Sequence, residues 1–330
     1  MTISRRRFLE TVGLGAGAVA LSVPGLGPRS TRRLVFAHVA GGWDTLLSLD
    51  PRDPQAFADA DAGRTGIELG WSRLAPGLPR GLVRPAGSDI VLGPMAAALA
   101  RHCDEACVVN GISVAADDHV AAARAFVPAA DGAVRLASID DLAVHGDPVE
   151  VDAAASRRYR VRHARAGEAQ AAMAARVLRD DLAPCLSIQL ATGLDTHAEE
   201  WATVQPRRQI EAFEAVATLV DDLRREGSLD RTTVVVFSEF GRAARLNARG
   251  GRDHGRHASA VLIGAGVPHG RVVGGTGDGL RPLPVDPRSG RPVHAGGVSL
   301  TPERLWASVL AGAGVRCSAL AAEPLGCLMA

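Results

Sequence analysis

Short apolar runs, each followed by polar or glycine-rich residues, recur along the chain. Five of them have the length and composition of buried β-strands, and they cover residues 34–39, 106–110, 186–190, 232–237 and 259–263. The run 232–237, TTVVVF, is β-branched and aromatic without alternation, which is typical of a strand buried on both faces of a sheet. The pattern therefore predicts a sheet that lies inside the molecule.

Helical patterns lie between these runs. The clearest covers residues 206–226, where apolar side chains recur at helical spacing and Gly227 follows as a stop. Further helices are predicted at 94–102, after His119, at 168–182 and at 302–310. Strands that alternate with helices predict an α/β domain with a parallel sheet. Because we find no repeat or low-complexity linker in the sequence, residues 31–330 are predicted to form a single domain.

The N-terminus has the features of an export signal. The motif Ser4-Arg5-Arg6-Arg7-Phe8-Leu9 precedes an apolar run at residues 12–23. Its paired arginines resemble the twin-arginine type, so residues 1–30 are predicted to be a signal whose partner is the twin-arginine translocation machinery. The apolar run is shorter than the about 20 residues of a membrane span. We expect an exported protein, periplasmic or extracellular, whose signal is either cleaved or kept as an anchor. The alternative is a basic cytosolic N-terminus.

The composition narrows the classes of function. The 330 residues are 47% hydrophobic and 22% charged, which is enough to bury a sizeable core. The formal net charge is +1, whereas proteins that bind nucleic acids usually carry a strong positive excess. We therefore expect no nucleic-acid partner.

Acidic and histidine residues follow four of the predicted strands. They are Asp44, Asp118 with His119, Asp195 with His197, and Glu239 with Asp253 and His254. Because the carboxyl ends of parallel strands meet at one edge of a sheet, these groups are predicted to share one cleft. Carboxylate and imidazole ligands suit divalent metal ions, which can clamp a phosphoryl or sulfuryl group while a nucleophile is activated.

Arg242 and Arg252 lie beside these acids in the sequence. Clustered carboxylates repel one another and their pKa values rise, so either a metal ion or the arginines must neutralise them. The arginines could do so without any metal, or they could bind an anionic substrate group through paired hydrogen bonds. A single Asp after a strand is more often a helix cap, so the metal hypothesis depends on the four clusters together.

Five motifs, together with the signal, resemble a family of twin-arginine-exported proteins, the domain of unknown function 1501 in the alkaline phosphatase/sulfatase-like superfamily. The motifs are Gly41-Gly42-Trp43-Asp44, Gly193-Leu194-Asp195-Thr196-His197, Ser238-Glu239-Phe240-Gly241-Arg242, Gly251-Arg252-Asp253-His254 and Thr301-Pro302-Glu303. The resemblance implies a three-layer α/β sandwich with a mostly parallel central sheet. It also implies divalent ions at the carboxyl edge of that sheet, namely zinc, manganese, magnesium or calcium. The ligands that it implies are Asp44, Asp195, His197 and Glu239.

Two positions depart from the superfamily pattern. Phe240 stands in place of an expected histidine, so Asp253 and His254 are predicted to supply the missing metal ligands. The superfamily attacks with a Ser, Thr or modified Cys, whereas the corresponding stretch here is Asp117-Asp118-His119. Asp118 is then the candidate nucleophile or the holder of an activated water, and His119 is the candidate acid or base.

Together these observations predict an exported metal-dependent hydrolase of small phosphate or sulfate esters, in which Arg242 and Arg252 hold the anionic group. The alternative is a non-catalytic exported protein for binding or assembly with a degenerate site, which Asp118 in place of a hydroxyl favours. A third hypothesis is a structural cleft in which the arginines alone neutralise the acids. The sequence leaves open whether the chain is an enzyme.

Overall fold

The computed structural model describes residues 32–115, 118–126, 152–163, 166–314 and 322–330. The predicted signal at residues 1–30 and the position Asp117 lie outside the described residues. In the described ranges, no helix has both the length and the apolar character that crossing a membrane requires.

Six strands form one sheet. They are β1 (Arg33–Val39), β2 (Ala106–Ser113), β3 (Cys185–Ala191), β4 (Thr232–Phe237), β5 (His257–Gly264) and β6 (Arg271–Gly274). The five predicted strands are confirmed, with small differences at their ends. The sixth strand, β6, has no counterpart among the predicted strands. β6 has only four residues, which is too short for a periodic signal, and it forms by pairing with β2.

The strands are arranged in the order β3-β1-β4-β5-β2-β6. β1 pairs in parallel with β3 and β4, and β2 pairs in parallel with β6. β5 is antiparallel to both of its neighbours, β4 and β2. Five strands therefore run in one direction, which confirms a mostly parallel sheet. β5 can run against them because no helix lies between β4 and β5, whereas a parallel neighbour needs a crossover connection.

The described part of the chain contains six α-helices. They are α1 (Ala62–Thr65), α2 (His119–Phe126), α3 (Ala153–Arg158), α4 (Gly167–Arg179), α5 (Trp201–Arg225) and α6 (Pro302–Gly312). Segments of 3-10 helix lie at Thr45–Leu47, Asp59–Asp61, Trp71–Arg73, Pro94–Glu105, Leu229–Arg231, Asp278–Leu280 and Gly326–Leu328.

Two apolar clusters cover the two faces of the sheet. Val35, Ala37 and Val39 of β1 pack with side chains of α4, α5 and the 3-10 segment 94–105. Leu34 and Phe36 of the same strand pack with side chains of α2 and α6. Successive residues of a strand point to opposite faces, so these two clusters define three layers. The predicted α/β sandwich is confirmed.

Two helices differ from the pattern in their extent or type. α5 begins at Trp201 rather than at the predicted start, Pro206. The indole N–H of Trp201 donates to Asp44 Oδ2 over 2.8 Å, and this tertiary contact anchors the added turn. The predicted helix at 94–102 forms as a 3-10 helix over Pro94–Glu105.

Candidate metal centre

The carboxyl ends of the strands bring several acidic and histidine side chains to one place. Asp195 and His197 follow β3, Glu239 follows β4, His254 lies in the connection from β4 to β5, and His119 begins α2. Among the described residues, His119, Asp195 and His254 each offer a ligand atom, and these atoms lie within 4.8 Å of one another. Side chains that are far apart in sequence therefore form one local group.

Asp195 Oδ1 is the centre of this group. The Nε2 atoms of His197 and His254 each lie 3.0 Å from it, and Nε2 of His119 lies 3.3 Å from it. The Nε2 atoms of His197 and His254 are also 3.0 Å apart. The Asp195 side chain is 44% exposed and that of His254 is 19% exposed, so the group is accessible from solvent.

Two further carboxylates orient two of the imidazole rings. Nδ1 of His119 is 2.8 Å from Glu239 Oε1, and Nδ1 of His197 is 3.0 Å from Asp253 Oδ1. An ionised carboxylate only accepts hydrogen bonds, so in the neutral rings Nδ1 carries the proton. Nε2 of His119 and of His197 then presents a lone pair toward Asp195 Oδ1.

Both orienting carboxylates remain ionised. Burial opposes the charge on Glu239, but hydrogen bonds from His38 and His119 outweigh it and lower the pKa of Glu239 to about 2. Hydrogen bonds from His197 and Asn247 lower the pKa of Asp253. Each carboxylate therefore stays a hydrogen-bond acceptor near neutral pH.

The ionisation of Asp195 follows from its own partners. Burial opposes its charge, but hydrogen bonds from Arg242 and His254 hold its pKa well below the usual range. A negatively charged oxygen that faces imidazole lone pairs needs a proton or a cation between the atoms. Consistent with this, the Nε2 atom of His119 is buried and has no hydrogen-bond partner in the described structure.

The donor set fits a divalent metal ion. Asp195 Oδ1, His197 Nε2 and His254 Nε2 form a triangle with sides of 3.0 Å. Tetrahedral zinc with ligand bonds of about 2.0–2.1 Å places its ligand atoms about 3.3 Å apart, so a slight expansion of the triangle would accept the ion. Two imidazoles and one carboxylate are also the protein ligands of open catalytic zinc sites. Imidazole donors favour zinc, and to a lesser degree manganese, over magnesium and calcium.

Asp44, a predicted ligand, lies in the core. Its side chain is 1% exposed, Oδ1 accepts a hydrogen bond from the Leu46 N–H over 3.0 Å, and Oδ2 accepts one from the Trp201 indole over 2.8 Å. Oδ2 also lies 2.8 Å from Nε of Arg252. Protein donors thus engage both oxygens of Asp44.

Arg242 and Arg252, the predicted substrate-binding residues, are fully buried. Arg242 donates to the carbonyls of Gly42 and Leu194, each over 2.8 Å, and to Asp195 Oδ1 over 2.8 Å. Arg252 donates to the carbonyls of Ala243, Glu68 and Leu69, and its guanidinium stacks on the Trp201 ring. Both guanidinium groups therefore hold loops together inside the protein.

The two predicted catalytic residues, Asp118 and His119, have different positions in the structure. Asp118 is exposed, and its Oδ1 accepts the Ala121 N–H over 2.9 Å, so it caps the N-terminus of α2. The side chain of His119, the next residue, lies beside Asp195, with Nε2 3.3 Å from Oδ1. The cap fixes the start of α2 and with it the position of His119.

Phe240 occupies the position at which the superfamily resemblance leads one to expect a histidine. Its ring is fully buried and lies 4.8 Å from the ring of His119 and 4.5 Å from that of His254, between centroids. The aromatic side chain thus supports two imidazoles by packing.

His38 and Ser238 are site residues that the sequence-based reasoning misses. Nε2 of His38 lies 3.0 Å from Glu239 Oε2, and the Ser238 hydroxyl donates to the same oxygen over 3.1 Å. The available signal was a histidine within the apolar run LVFAHV, just before the end of β1.

Residues 140–288 match a family model described as a protein of unknown function, DUF1501. The predicted resemblance to DUF1501 is confirmed. The DUF1501 match includes Asp195, His197, Glu239 and His254, whereas His119 lies outside it. None of the curated proteins compared with the chain matches it.

Several solved structures match this one over most of its length, with low sequence identity and TM-scores below 0.5. The lipoteichoic acid synthase LtaP of Listeria monocytogenes is 9% identical with a TM-score of 0.38, and the match covers 82% of this chain and 74% of LtaP. The C-terminal periplasmic domain of EcEptC from Escherichia coli is 11% identical with a TM-score of 0.36, and the match covers 71% of this chain and 72% of that domain. A protein in the alkaline phosphatase superfamily from Vibrio parahaemolyticus is 13% identical with a TM-score of 0.27, over 80% of this chain and 69% of that one.

Proposed function

We propose that the protein is an exported metal-dependent hydrolase of phosphate or sulfate esters. Asp195, His197 and His254 hold a divalent ion, with zinc or manganese preferred. The observation that carries the proposal is the convergence of imidazole Nε2 atoms on Asp195 Oδ1, with Glu239 and Asp253 directing two of the rings. Outer carboxylates that fix the tautomer of a ligating histidine are a regular feature of protein metal sites.

His119 is the proposed base of this reaction. Its Nε2 lies farther from Asp195 Oδ1 than the other two, at 3.3 Å, and Glu239 holds its Nδ1–H as carboxylates do in catalytic dyads. The ion supplies Lewis acidity toward an ester oxygen. His119 Nε2 takes a proton from the attacking water and returns it to the departing alcohol as the ester bond breaks. In this scheme Asp118 is a helix cap, and Arg242 positions Asp195.

Metal content is the first test. Protein purified without chelator is expected to contain about one divalent ion per chain, and added zinc or manganese should raise its melting temperature. His254→Ala is expected to weaken binding of that ion more than about 100-fold, which exceeds the usual effect of an outer residue. His294→Ala, at an exposed loop histidine, is the matched control and should bind like the wild type. If the protein contains no metal and EDTA leaves its melting temperature unchanged, the arginine-neutralised cleft is the correct account.

Turnover is the second test. A panel of aryl phosphates and aryl sulfates, assayed with added zinc or manganese, should reveal hydrolysis that His254→Ala abolishes. His119→Ala is expected to retain the ion and to lose about 100- to 10,000-fold in kcat, the usual contribution of a general base. Loss of the ion in His119→Ala would instead make His119 a fourth ligand and the site a closed, structural one.

The alternative function is a non-catalytic exported protein for binding or assembly. It is favoured by the placement of Asp118, which is exposed and engaged as a helix cap where a nucleophile is expected. Metal binding without turnover of any ester in the panel would support this alternative and contradict the hydrolase.

Export is proposed from the arginine motif at residues 4–9, with the twin-arginine translocation machinery as the partner. Replacing both Arg5 and Arg6 by Lys keeps the charge but removes the planar guanidinium groups. We expect the wild-type chain outside the cytoplasm and the doubly substituted chain inside it, as measured by fractionation. Equal export of the two forms would contradict the twin-arginine route.

A further inference from the structure

Glu239 is a buried carboxylate shared between two histidines. Its side chain is 4% exposed, and Oε1 accepts hydrogen bonds from the Gly41 N–H and from His119 Nδ1, each over 2.8 Å. Oε2 faces His38 Nε2 at 3.0 Å and the Ser238 hydroxyl at 3.1 Å. A buried charge is tolerated only when its lone pairs are satisfied, and here each oxygen has two partners.

His38 is held in place by the sheet as well as by this contact. It lies on β1 opposite Phe237 of β4, and the two rings stack with centroids 5.2 Å apart and planes at 21°. Phe237 stacks in turn on Phe126 of α2, at 5.4 Å and 13°. The His38 ring therefore has little freedom to turn away from Glu239.

We propose that His38 is a positioning residue, which holds the Glu239 carboxylate in the orientation that directs Nε2 of His119 at Asp195. Without His38, the Ser238 hydroxyl is the one described partner left on Oε2. The carboxylate can then rotate, and His119 is no longer restricted to the tautomer with the proton on Nδ1. The inference rests on the proposed function for its catalytic consequence, but the geometric role of His38 can be tested without any ion or substrate.

A proton relay through Glu239 is a different role, and the charge balance disfavours it. A relay from His119 to His38 requires Glu239 to accept a proton in passing. The hydrogen bonds from the two histidines lower the pKa of Glu239 to about 2, against the opposing effect of burial, so the acid form is rare near neutral pH. His38 therefore acts by orientation.

Two substitutions separate the hydrogen bond of His38 from its packing. His38→Phe keeps an aromatic ring against Phe237 but has no donor for Glu239. His38→Gln loses the ring but keeps an N–H that can reach a carboxylate oxygen. A residue that serves only packing would tolerate the first change better than the second, and the proposal expects the opposite order.

The decisive measurement is the protonation of the His119 ring in metal-free protein labelled with nitrogen-15 at histidine. Long-range proton–nitrogen spectra distinguish a ring protonated at Nδ1 from one protonated at Nε2. We expect the wild type and His38→Gln to show His119 protonated at Nδ1, and His38→Phe to show a mixture of tautomers. An unchanged His119 signal in His38→Phe would overturn the proposal.

Activity provides a second test of the role of His38. In active protein, His38→Phe is expected to lower kcat about 10- to 100-fold, as losses of outer residues do at metal sites, while His38→Gln restores most of it. If the wild type neither binds an ion nor hydrolyses any ester, the proposed function fails while the tautomer measurement still decides the role of His38. Equal activity of His38→Phe and the wild type in an active protein would contradict the role itself.

Discussion

Arg242 connects several loops through one guanidinium group. Nε donates to the Gly42 carbonyl, Nη1 to the Arg252 carbonyl over 3.3 Å, and Nη2 to Leu194 O and Asp195 Oδ1. Nη2 also donates to the Gly41 carbonyl. The charge of Arg242 is thus balanced by Asp195, while its geometry fixes the connections that follow β1 and β3.

We expect Arg242→Met to destabilise the fold by about 1–3 kcal/mol, because it leaves several buried carbonyls without their donor and removes the arginine from the partly exposed Asp195 carboxylate. Urea unfolding measures this change. Arg245→Met, at an exposed arginine of the same connection, should stay within about 0.5 kcal/mol of the wild type. If Arg242→Met is as stable as the wild type and differs from it only in a higher KM, Arg242 binds the substrate, as the sequence predicts.

The connection from β4 to β5 is itself an ordered ribbon. Arg242 pairs with His254 in an antiparallel bridge, and the Ala243 N–H donates to the Asp253 carbonyl over 2.8 Å. The ribbon is anchored to the segment after β3 by a second bridge, between Ala198 and Gly250. Asp253 and His254 therefore approach Asp195 and His197 as parts of one folded unit.

Gly251 sets the distance between this ribbon and the segment after β3. A Cβ atom at Gly251 would lie 2.3 Å from Ala198 N and from His197 C, both of which are backbone atoms. We expect Gly251→Ala to destabilise the fold by about 1–3 kcal/mol, the usual effect of overpacking, and to weaken ion binding by moving His197. Thermal unfolding and zinc titration measure the two effects.

Gly81→Ala is the control for this change, because a Cβ atom there would meet no other atom within 4 Å. It should leave both stability and ion binding unchanged. Ion binding by Gly251→Ala that equals that of the wild type would show that the ribbon does not control the position of His197.

The local hydrophobic pattern was sufficient to predict the strands that have a long apolar run and the helices that have a clear helical period. The run 232–237 gave β4 with its observed bounds, because all six of its side chains are buried. β6 could not be found in this way, since its four residues depend on pairing with β2. The start of α5 was likewise missed, because Trp201 belongs to the helix through a contact with Asp44, which is distant in sequence.

At the scale of the whole molecule, the sheet topology explains how much of the site was predictable. Ligand-binding residues gather at the carboxyl edge of a parallel sheet, and this rule predicted that Asp195, His197 and His254 lie close together. In the structure their side chains form one group. It could not tell a residue that faces the cleft from one that is turned into the core. Asp44 is of the second kind, since its partners Trp201 and Arg252 come from other parts of the chain.

The stability of the whole fold should depend on pH through a buried histidine. His257 is 2% exposed, and its Nε2 lies 3.1 Å from the Thr45 hydroxyl. Burial lowers its pKa to about 4, against the opposing charges of Asp50 and Asp44. An unfolded histidine has a pKa of about 6.5, so between these values the unfolded chain binds a proton that the folded chain does not.

We therefore expect the free energy of unfolding to fall as the pH drops from about 6.5 to about 4, by about 3 kcal/mol at most from this residue. His102, also fully buried, contributes in the same direction, because burial lowers its pKa. Urea unfolding at a series of pH values measures the slope. His257→Gln should reduce the slope whatever its effect on absolute stability, and an unchanged slope would show that His257 is not the group responsible.

The reversed direction of β5 has a consequence for how this centre can be altered. Because β4 and β5 are antiparallel neighbours, the connection between them leaves and re-enters the sheet at the same edge. It can be exchanged as a single segment without rerouting any strand. Glu239, Asp253 and His254 would be replaced together in such an exchange, while Asp195 and His197 would remain on the unaltered frame. The reversal of one strand thus turns half of the centre into an interchangeable module.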